Sequence, residues 1–287
     1  MPRAELPGVT INYLKLGDWA SGQAPLVLVH GLAASSGFWL PSTDLLTPHR
    51  PVLIYDLRGH GRSSMPSSGY TAAAMADDLV ALLDWLEIEK CAVVGHSYGG
   101  GIALRVALNH PDRVRALVLA DTRIRLFQPA LTPAAWPHWQ ERREALREAG
   151  LDIPDDHPDA GIVLLTEMAR RQTAPADAPP PPRWITDLFG QGQSRQMAAR
   201  WLDLVDTTDA LREFADETDL DIARLQTLRV STLALYGGHS PVLPSGVALH
   251  EMLPNIQWTI LPEAGHFFPV WKPVLFSNAV NAQLADG

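Results

Sequence analysis

Short, unbroken runs of aliphatic residues recur along the first 120 residues, and stretches with helical periodicity separate the later ones. The clearest runs are Leu26–Val29, Val52–Tyr55, Cys91–Val94 and Ala116–Ala120, and a further strand is predicted over Val9–Leu16, where polar residues interrupt the apolar ones. Continuous aliphatic strands without polar alternation are typical of a parallel sheet that is covered on both faces. Strand–helix–strand alternation requires right-handed crossovers. The sequence therefore predicts an α/β fold with a doubly wound, mostly parallel sheet.

The pattern changes after Asp121. Residues 122–214 lack strand-like runs and contain many prolines, with helix-like pieces at Trp136–Ala149, Ile162–Arg171 and Met197–Val205. Apolar runs resume near Val230, and the alternation of strands and helices continues to a closing helix predicted over Val270–Leu284. We therefore predict a core formed by residues 1–121 and 215–287, into which residues 122–214 are inserted as a helical cap.

Composition narrows the class of protein. The chain has 287 residues, a hydrophobic share of 46% and a formal charge of −9. That charge argues against nucleic acid or an anionic membrane surface as the main partner, and the aliphatic runs are far shorter than the ~20 residues of a membrane span. The N-terminus has no apolar signal segment, and the single Cys91 excludes an internal disulfide or a thiolate metal cage. These features predict a cytoplasmic protein with no metal.

One motif stands out directly after the run Cys91–Val94. Gly95-His96-Ser97-Tyr98-Gly99 has the pattern G-x-S-x-G, with a strand before it and an apolar, small-residue helix after it. Glycines beside a sharp strand-to-helix turn remove side chains that would collide with neighbouring elements. Such a turn presents Ser97 Oγ at a helix N-terminus, where main-chain N–H groups favour developing negative charge.

With these motifs the chain resembles the α/β-hydrolase superfamily over nearly its whole length. His30-Gly31-Leu32 resembles the oxyanion loop of that family, and Asp56–Ser63 resembles the turn after its next strand. Gly265-His266-Phe267-Phe268-Pro269 resembles the loop of the catalytic histidine. The resemblance implies Ser97 as the nucleophile and His266 as its base, because imidazole accepts and returns a proton near neutral pH. It also implies that the main-chain N–H groups of Leu32 and Tyr98 form the oxyanion hole.

The catalytic acid departs from the usual family pattern. The family commonly carries it in the loop after the strand that ends at Tyr236, and Ser240 stands there in this chain. Some members carry the acid directly after the sixth strand, which corresponds to Asp121. We predict Asp121 as the acid; a plain turn aspartate is the alternative reading. Asp219, Asp221 and Glu263 are weaker candidates, more typical of solvated charges.

The resemblance implies a serine hydrolase that needs no cofactor. We expect an ester or thioester with an apolar acyl or alkyl part, free or bound to a carrier, because the inserted segment is rich in tryptophan. The predicted pocket residues are Trp136, Trp139, Trp184, Trp201, His239 and Phe267. Three alternatives stay open: a polyketide-type thioesterase or lactonase, a carbon–carbon hydrolase or cofactor-free lyase, and a ligand receptor with vestigial hydrolysis. The natural substrate and the oligomeric state do not follow from the sequence.

Overall fold

The computed structural model describes residues 2–136, 139–148, 150–174, 195–253 and 255–285. One sheet of eight strands crosses this part of the chain in the order β1-β2-β4-β3-β5-β6-β7-β8. β2 runs antiparallel to both of its neighbours, and the remaining pairs are parallel. The strands are β1 Arg3–Leu6, β2 Val9–Leu16, β3 Leu26–Val29, β4 Val52–Tyr55, β5 Cys91–His96, β6 Val114–Ala120, β7 Ser231–Gly237 and β8 Gln257–Leu261. The predicted α/β fold with a mostly parallel sheet is confirmed.

Helices connect these strands. They are α1 Leu40–Leu46, α2 Ala72–Trp85, α3 Tyr98–Asn109, α4 Trp139–Glu148, α5 Ala160–Thr173, α6 Arg195–Thr207, α7 Ala210–Glu213, α8 Ile222–Leu225, α9 Leu243–Met252, α10 Phe268–Trp271 and α11 Pro273–Ala285. Among the described residues, none of the helices combines the length and apolar character needed to cross a membrane.

The central strands are apolar throughout because each face of the sheet has its own core. In β3, Val27 and Val29 belong to the cluster that also holds the apolar residues of α2 and α3. Leu26 and Leu28 point the opposite way, into the cluster that contains Phe276 of α11. Successive strand residues point to opposite faces, so a strand covered on both sides needs an apolar residue at every position.

Helix α2 shows how local sequence sets an element's bounds. Thr71 has extended backbone and its side chain accepts a hydrogen bond from the Ala74 N–H, an N-cap of the kind that stabilises a helix by about 1 kcal/mol. Met75, Leu79 and Leu82 are buried on the face toward the sheet. Both the cap and this face follow from the sequence pattern.

Three elements differ from the sequence predictions. The closing helix is not continuous, because Lys272 leaves helical geometry (φ −131°) before Pro273 starts α11. Trp136, the predicted start of a helix, has extended backbone (φ −82°, ψ 140°) after a 3-10 turn over Pro133–Ala135, and the described part of the helix runs from Trp139. β1 was not predicted, since its four residues alternate between exposed and buried positions and carry Arg3 and Glu5.

In the described part of residues 122–214 the regular elements are helices, joined by turns and loops, apart from one isolated bridge between Leu131 and Asp159. Its first half has a small apolar cluster of its own, with Trp136, Trp139, Leu146, Ile153, Ala160, Leu164 and Met168. Helix α6 instead contributes Trp201 and Leu204 to the core beside the sheet. The division of the chain into a core and a separate cap over residues 122–214 therefore stays a prediction.

Candidate active site

Ser97 occupies the tight turn between β5 and α3. Its backbone lies in the left-handed region (φ 55°, ψ −122°), which a residue with a side chain adopts only at a free-energy cost. Its N–H donates to the carbonyl oxygen of Ala120, the last residue of β6, over 3.0 Å, and its own carbonyl accepts from the Gly100 N–H over 3.0 Å. The neighbouring strand thus holds the turn in place.

Two glycines let this turn form against the sheet. A Cβ on Gly95 would lie 2.2 Å from the Gly99 carbonyl oxygen, and one on Gly99 would lie 2.3 Å from the carbonyl oxygen of Val29. Both contacts are with main-chain atoms, which cannot rotate away. The small residues of the motif are therefore required by close packing between the turn, α3 and β3.

The structure brings Ser97, His266 and Asp121 together from three separate parts of the sheet edge. His266 Nε2 lies 3.1 Å from Ser97 Oγ, and His266 Nδ1 lies 2.6 Å from Asp121 Oδ2. The side chain of His266 is 21% exposed and that of Asp121 is fully buried. An imidazole between a hydroxyl and a carboxylate is oriented with Nδ1–H toward the acid, so Nε2 is available to take the serine proton.

Asp121 is held by the loop that follows β7. Its Oδ1 accepts from the Gly237 N–H over 2.8 Å, and its Oδ2 accepts from the hydroxyl of Ser240. His266 Nδ1 contacts the same Oδ2 atom. The residue at the family's usual acid position therefore donates a hydrogen bond to the carboxylate that reaches the histidine.

His30 shapes the loop that carries Leu32. Its Nδ1–H donates to the Gly31 carbonyl oxygen over 2.7 Å, and its Nε2 accepts from the Leu57 N–H over 3.1 Å. Burial lowers the pKa of His30, which favours the neutral ring that these two bonds require. Leu32 and Tyr98 both line the cavity beside Ser97, and the Tyr98 N–H opens α3, where helix N–H groups lack partners in a preceding turn.

His96 holds the loop that carries His266 through a hydrogen bond to its main chain. Its Nε2–H donates to the main-chain carbonyl of His266 over 2.8 Å, and its ring stacks on Phe38 at 4.7 Å. Burial lowers the pKa of His96 well below its usual range, and positive charge on His266 lowers it further. His96 therefore stays neutral when His266 carries a proton.

A cavity of about 750 Å³ opens over Ser97 and His266. Of the predicted pocket residues, Trp136, His239 and Phe267 line it. Its walls are otherwise largely apolar, with Phe38, Leu131, Ile162, Leu165, Phe214, Val242 and Trp271. Such a lining suits a substrate with an apolar portion.

Two of the predicted pocket residues, Trp139 and Trp201, do not line the cavity but lie behind residues that do. The structure corrects the prediction at these two positions. Trp139 packs edge-to-face with Trp136, with 5.8 Å between the ring centroids, and donates from Nε1 to Asp155 Oδ1 over 2.6 Å. Trp201 is buried and stacks at 6.0 Å on Phe214, which does line the cavity. Trp184 lies outside the described residues.

Sequence reasoning missed a charged group in the cavity wall, formed by Arg123, Arg125, Asp159 and Glu217. A signal was present, because Arg123 and Arg125 follow Asp121 closely at the carboxyl end of a parallel strand, where α/β sheets bind ligands. Across the described part of the chain, no group of three or more His, Cys, Asp or Glu residues stands close enough to bind a metal ion.

The sheet, the turn at Ser97 and the histidine loop define a class, and sequence comparison agrees. Residues 24–157 match the sequence profile of the alpha/beta hydrolase fold. A relative from Caulobacter sp. (strain K31) is 30% identical over 270 residues, which cover 92% of this chain and 91% of the relative. The chain belongs to the α/β-hydrolase superfamily, and it is a hydrolase.

The relatives carry different activities in their names. The Caulobacter protein bears the name carbamate hydrolase RutD. A thermophilic esterase from Thermogutta terrifontis is 26% identical, with full coverage of this chain, 99% of the esterase and a TM-score of 0.64. The enol-lactonase from Burkholderia xenovorans LB400 is 22% identical, covering 99% of this chain and all of the lactonase with a TM-score of 0.65, and so shows the fold alone.

Proposed function

We propose that this chain is a serine hydrolase that cleaves a carboxylic ester or thioester through an acyl-enzyme. The observation that carries the proposal is the pair of contacts of His266, 3.1 Å to Ser97 Oγ and 2.6 Å to Asp121 Oδ2, at the floor of the cavity. A serine hydroxyl is a weak nucleophile at neutral pH unless a base lies within hydrogen-bond reach. His266 is in that position.

The reaction follows from these positions. Ser97 Oγ attacks the carbonyl carbon while its proton passes to His266 Nε2, and the Asp121 carboxylate stabilises the resulting imidazolium. The oxyanion accepts from the main-chain N–H groups of Leu32 and Tyr98, a contribution of roughly 3–4 kcal/mol for each such donor. The carbonyl then re-forms, the bond to the leaving alkoxide or thiolate breaks, and His266 returns the proton to it. Water repeats the sequence on the acyl-serine and releases the acid.

The substrate class rests on the cavity. Its apolar lining supports an acyl or alkyl part of several carbons, with residues 122–214 proposed as the cap that forms one wall. No cofactor and no metal enter this mechanism. A soluble small molecule, free or attached to a carrier, is the proposed partner.

A carbamate is the second candidate, because the relative that covers 92% of this chain is named a carbamate hydrolase. Attack by Ser97 on a carbamoyl carbon would use the same base and the same oxyanion donors. Free carbamate has only four heavy atoms and would fill little of a cavity of about 750 Å³. The cavity therefore favours a larger acyl substrate over it.

The nucleophile can be tested by covalent labelling. Ser97 Oγ should attack the phosphorus of a fluorophosphonate and displace fluoride into solvent while His266 takes the serine proton, which gives one adduct in intact-protein mass spectrometry, and Ser97→Ala should give none. The same variant serves as the blank in a screen of esters, acyl thioesters, lactones and carbamate esters, which separates the candidates. Labelling that persists in Ser97→Ala would contradict the assignment, and one slow turnover with retained ligand would favour a receptor.

A further inference from the structure

Two arginines lie in the wall of the cavity that contains Ser97. Arg123 and Arg125 follow β6 directly after Asp121 and Thr122, and both line the cavity. Their side chains are only 14% and 17% exposed. A guanidinium in such a partly enclosed position makes stronger hydrogen bonds than one in bulk water.

Arg123 is fully engaged in holding the wall together. Its Nε donates to the Gln128 carbonyl oxygen over 3.0 Å, its Nη2 to the Pro129 carbonyl oxygen over 2.7 Å, and its Nη1 to Asp159 Oδ1 over 2.7 Å. These bonds use all three nitrogens. Arg123 is therefore a structural residue of this wall.

Arg125 is engaged on one side only. It shares Asp159 with Arg123, donating from Nη2 over 2.9 Å and from Nη1 over a long 3.4 Å. A guanidinium has five N–H donors, so three of them donate to no other side chain or carbonyl among the described residues. One carboxylate thus serves two guanidinium groups, and Arg125 keeps donors for a ligand.

Glu217 limits the positive field here. It also lines the cavity, and its Oε2 accepts from the main-chain N–H of Arg125 over 2.9 Å, not from the guanidinium. The two arginines, Asp159 and Glu217 sum to zero formal charge. Hydrogen bonding by the unused donors of Arg125, opposed by the charge of Glu217, therefore sets how well an anion binds.

Building on the proposed function, we propose that Arg125 binds a carboxylate carried by the substrate at a distance from the scissile bond. The guanidinium fork matches a carboxylate in shape, and a charge-assisted pair of this kind is stronger than a neutral hydrogen bond. The apolar residues that line the same cavity as Ser97 and Arg125 would accommodate the carbon chain that joins the two groups. The substrate class is then an ester or thioester with a remote acid group, on its acyl or its leaving-group side.

The test compares matched esters that differ at one end. For the acyl side, the mono-p-nitrophenyl ester of adipic acid is compared with p-nitrophenyl hexanoate; for the leaving-group side, the butyrate ester of 6-hydroxyhexanoate is compared with hexyl butyrate. We expect one pair to show a higher kcat/KM for the acid. In Arg125→Met the ratio of acid to methyl substrate should fall about 10- to 100-fold, as expected for the loss of a charged hydrogen bond.

Two further variants sharpen this comparison. Glu217→Gln keeps an acceptor for the Arg125 N–H and removes the opposing charge, so the ratio should rise. Arg147→Met, a matched change at an arginine of α4 that does not line the cavity, should leave the ratio as it was. A ratio that is the same in Arg125→Met as in the starting protein for both pairs would overturn the proposal.

Failure of the proposed function would look different, because p-nitrophenyl hexanoate and hexyl butyrate, which lack the acid group, would not turn over either. Binding then decides the question. Adipate monomethyl ester should raise the Tm of Ser97→Ala more than methyl hexanoate does, and adding Arg125→Met should abolish that difference. Equal Tm shifts for both ligands would overturn the carboxylate site even in an inactive protein, as would tighter binding of the terminal carboxamide than of the carboxylate.

Discussion

At the scale of single residues, the candidate site concentrates backbone strain. Ser97 and Asp121 both have positive φ, at 55° and 52°, and neither is glycine. Each such residue is destabilising by roughly 1–3 kcal/mol and persists only where its surroundings hold it. Here the main chain of Ser97 bonds to Ala120 and that of Asp121 to Leu235. Adjacent parallel strands thus hold the two side chains where His266 can contact both.

The role of Asp121 can be tested by removing its charge alone. Asp121→Asn is nearly isosteric, and we expect kcat to fall by about 10²–10⁴-fold, because an amide neither stabilises the imidazolium nor fixes its tautomer. The measurement is kcat with p-nitrophenyl hexanoate, with the circular dichroism spectrum as the check on folding.

Ser240 offers a rescue of that variant. Ser240→Asp in the Asp121→Asn background places a carboxylate beside the position that Asp121 Oδ2 occupies next to His266. Part of the lost kcat should therefore return. A folded Asp121→Asn protein with nearly unchanged kcat would contradict the role of Asp121 and direct attention to a Ser97–His266 dyad.

What the sequence could predict at this scale depended on motif context. Ser97 lies between Gly95 and Gly99, His266 follows Gly265, and both segments come after strands, so their patterns are legible along the chain. The fork of Arg125 is not, because its unused donors become visible only when Arg123 and Asp159 are placed beside it. Likewise, the sequence shows that Trp201 is a large aromatic residue of the inserted segment. Its position behind Phe214 depends on how α6 packs, which the sequence pattern does not show.

At the scale of elements, two of the three glycines of helix α3 have opposite surroundings. A Cβ at Gly99 would lie 2.3 Å from the Val29 carbonyl oxygen, whereas one at Gly101 would meet nothing nearer than 3.5 Å. Gly99→Ala should lower the free energy of unfolding by about 1–3 kcal/mol or more through overpacking. Gly101→Ala should raise it by roughly 0.5–1 kcal/mol, since alanine loses less entropy in a helix. Urea denaturation of the two variants tests both, and similar effects at the two positions would argue against the tight approach of α3 to β3.

Elements were predictable where burial leaves a continuous signal. β3 and β4 have the predicted bounds, because every residue in them is buried. β1 was missed, because Arg3 and Glu5 face outward along a four-residue strand. The break at Lys272 was missed because the residues before and after it are apolar, as in a continuous helix. Only Pro273 marks the start of the second helix.

At the scale of the whole molecule, buried neutral histidines tie stability to pH. Burial lowers the pKa of His60 to about 3, and burial also lowers the pKa of His30 and His96. In the unfolded chain each imidazole takes up a proton near pH 6.5. Below that pH the unfolded state binds more protons than the folded state, so stability falls as pH falls. The slope is about 1.4 kcal/mol per pH unit for each such histidine.

His60→Asn isolates one of these protons. The amide can replace the Nδ1–H bond to the Arg58 carbonyl oxygen, and the slope of unfolding free energy between pH 4.5 and 6 should drop by about 1.4 kcal/mol per pH unit. Urea denaturation across that range gives the slope, and His49→Asn at an exposed position is the matched control. An unchanged slope in His60→Asn would show that His60 is protonated in the folded protein.

The contact between Ser240 and Asp121 has an evolutionary consequence. The ends of β6 and β7 meet at one oxygen atom beside the imidazole, so a carboxylate placed on either strand reaches the same partner. A lineage can therefore move its acid between strands by two single substitutions, passing through an ancestor with both carboxylates that share a proton, without an inactive intermediate. Serine at position 240 corresponds to one end of such a path, and its hydroxyl keeps the loop after β7 hydrogen-bonded to the acid.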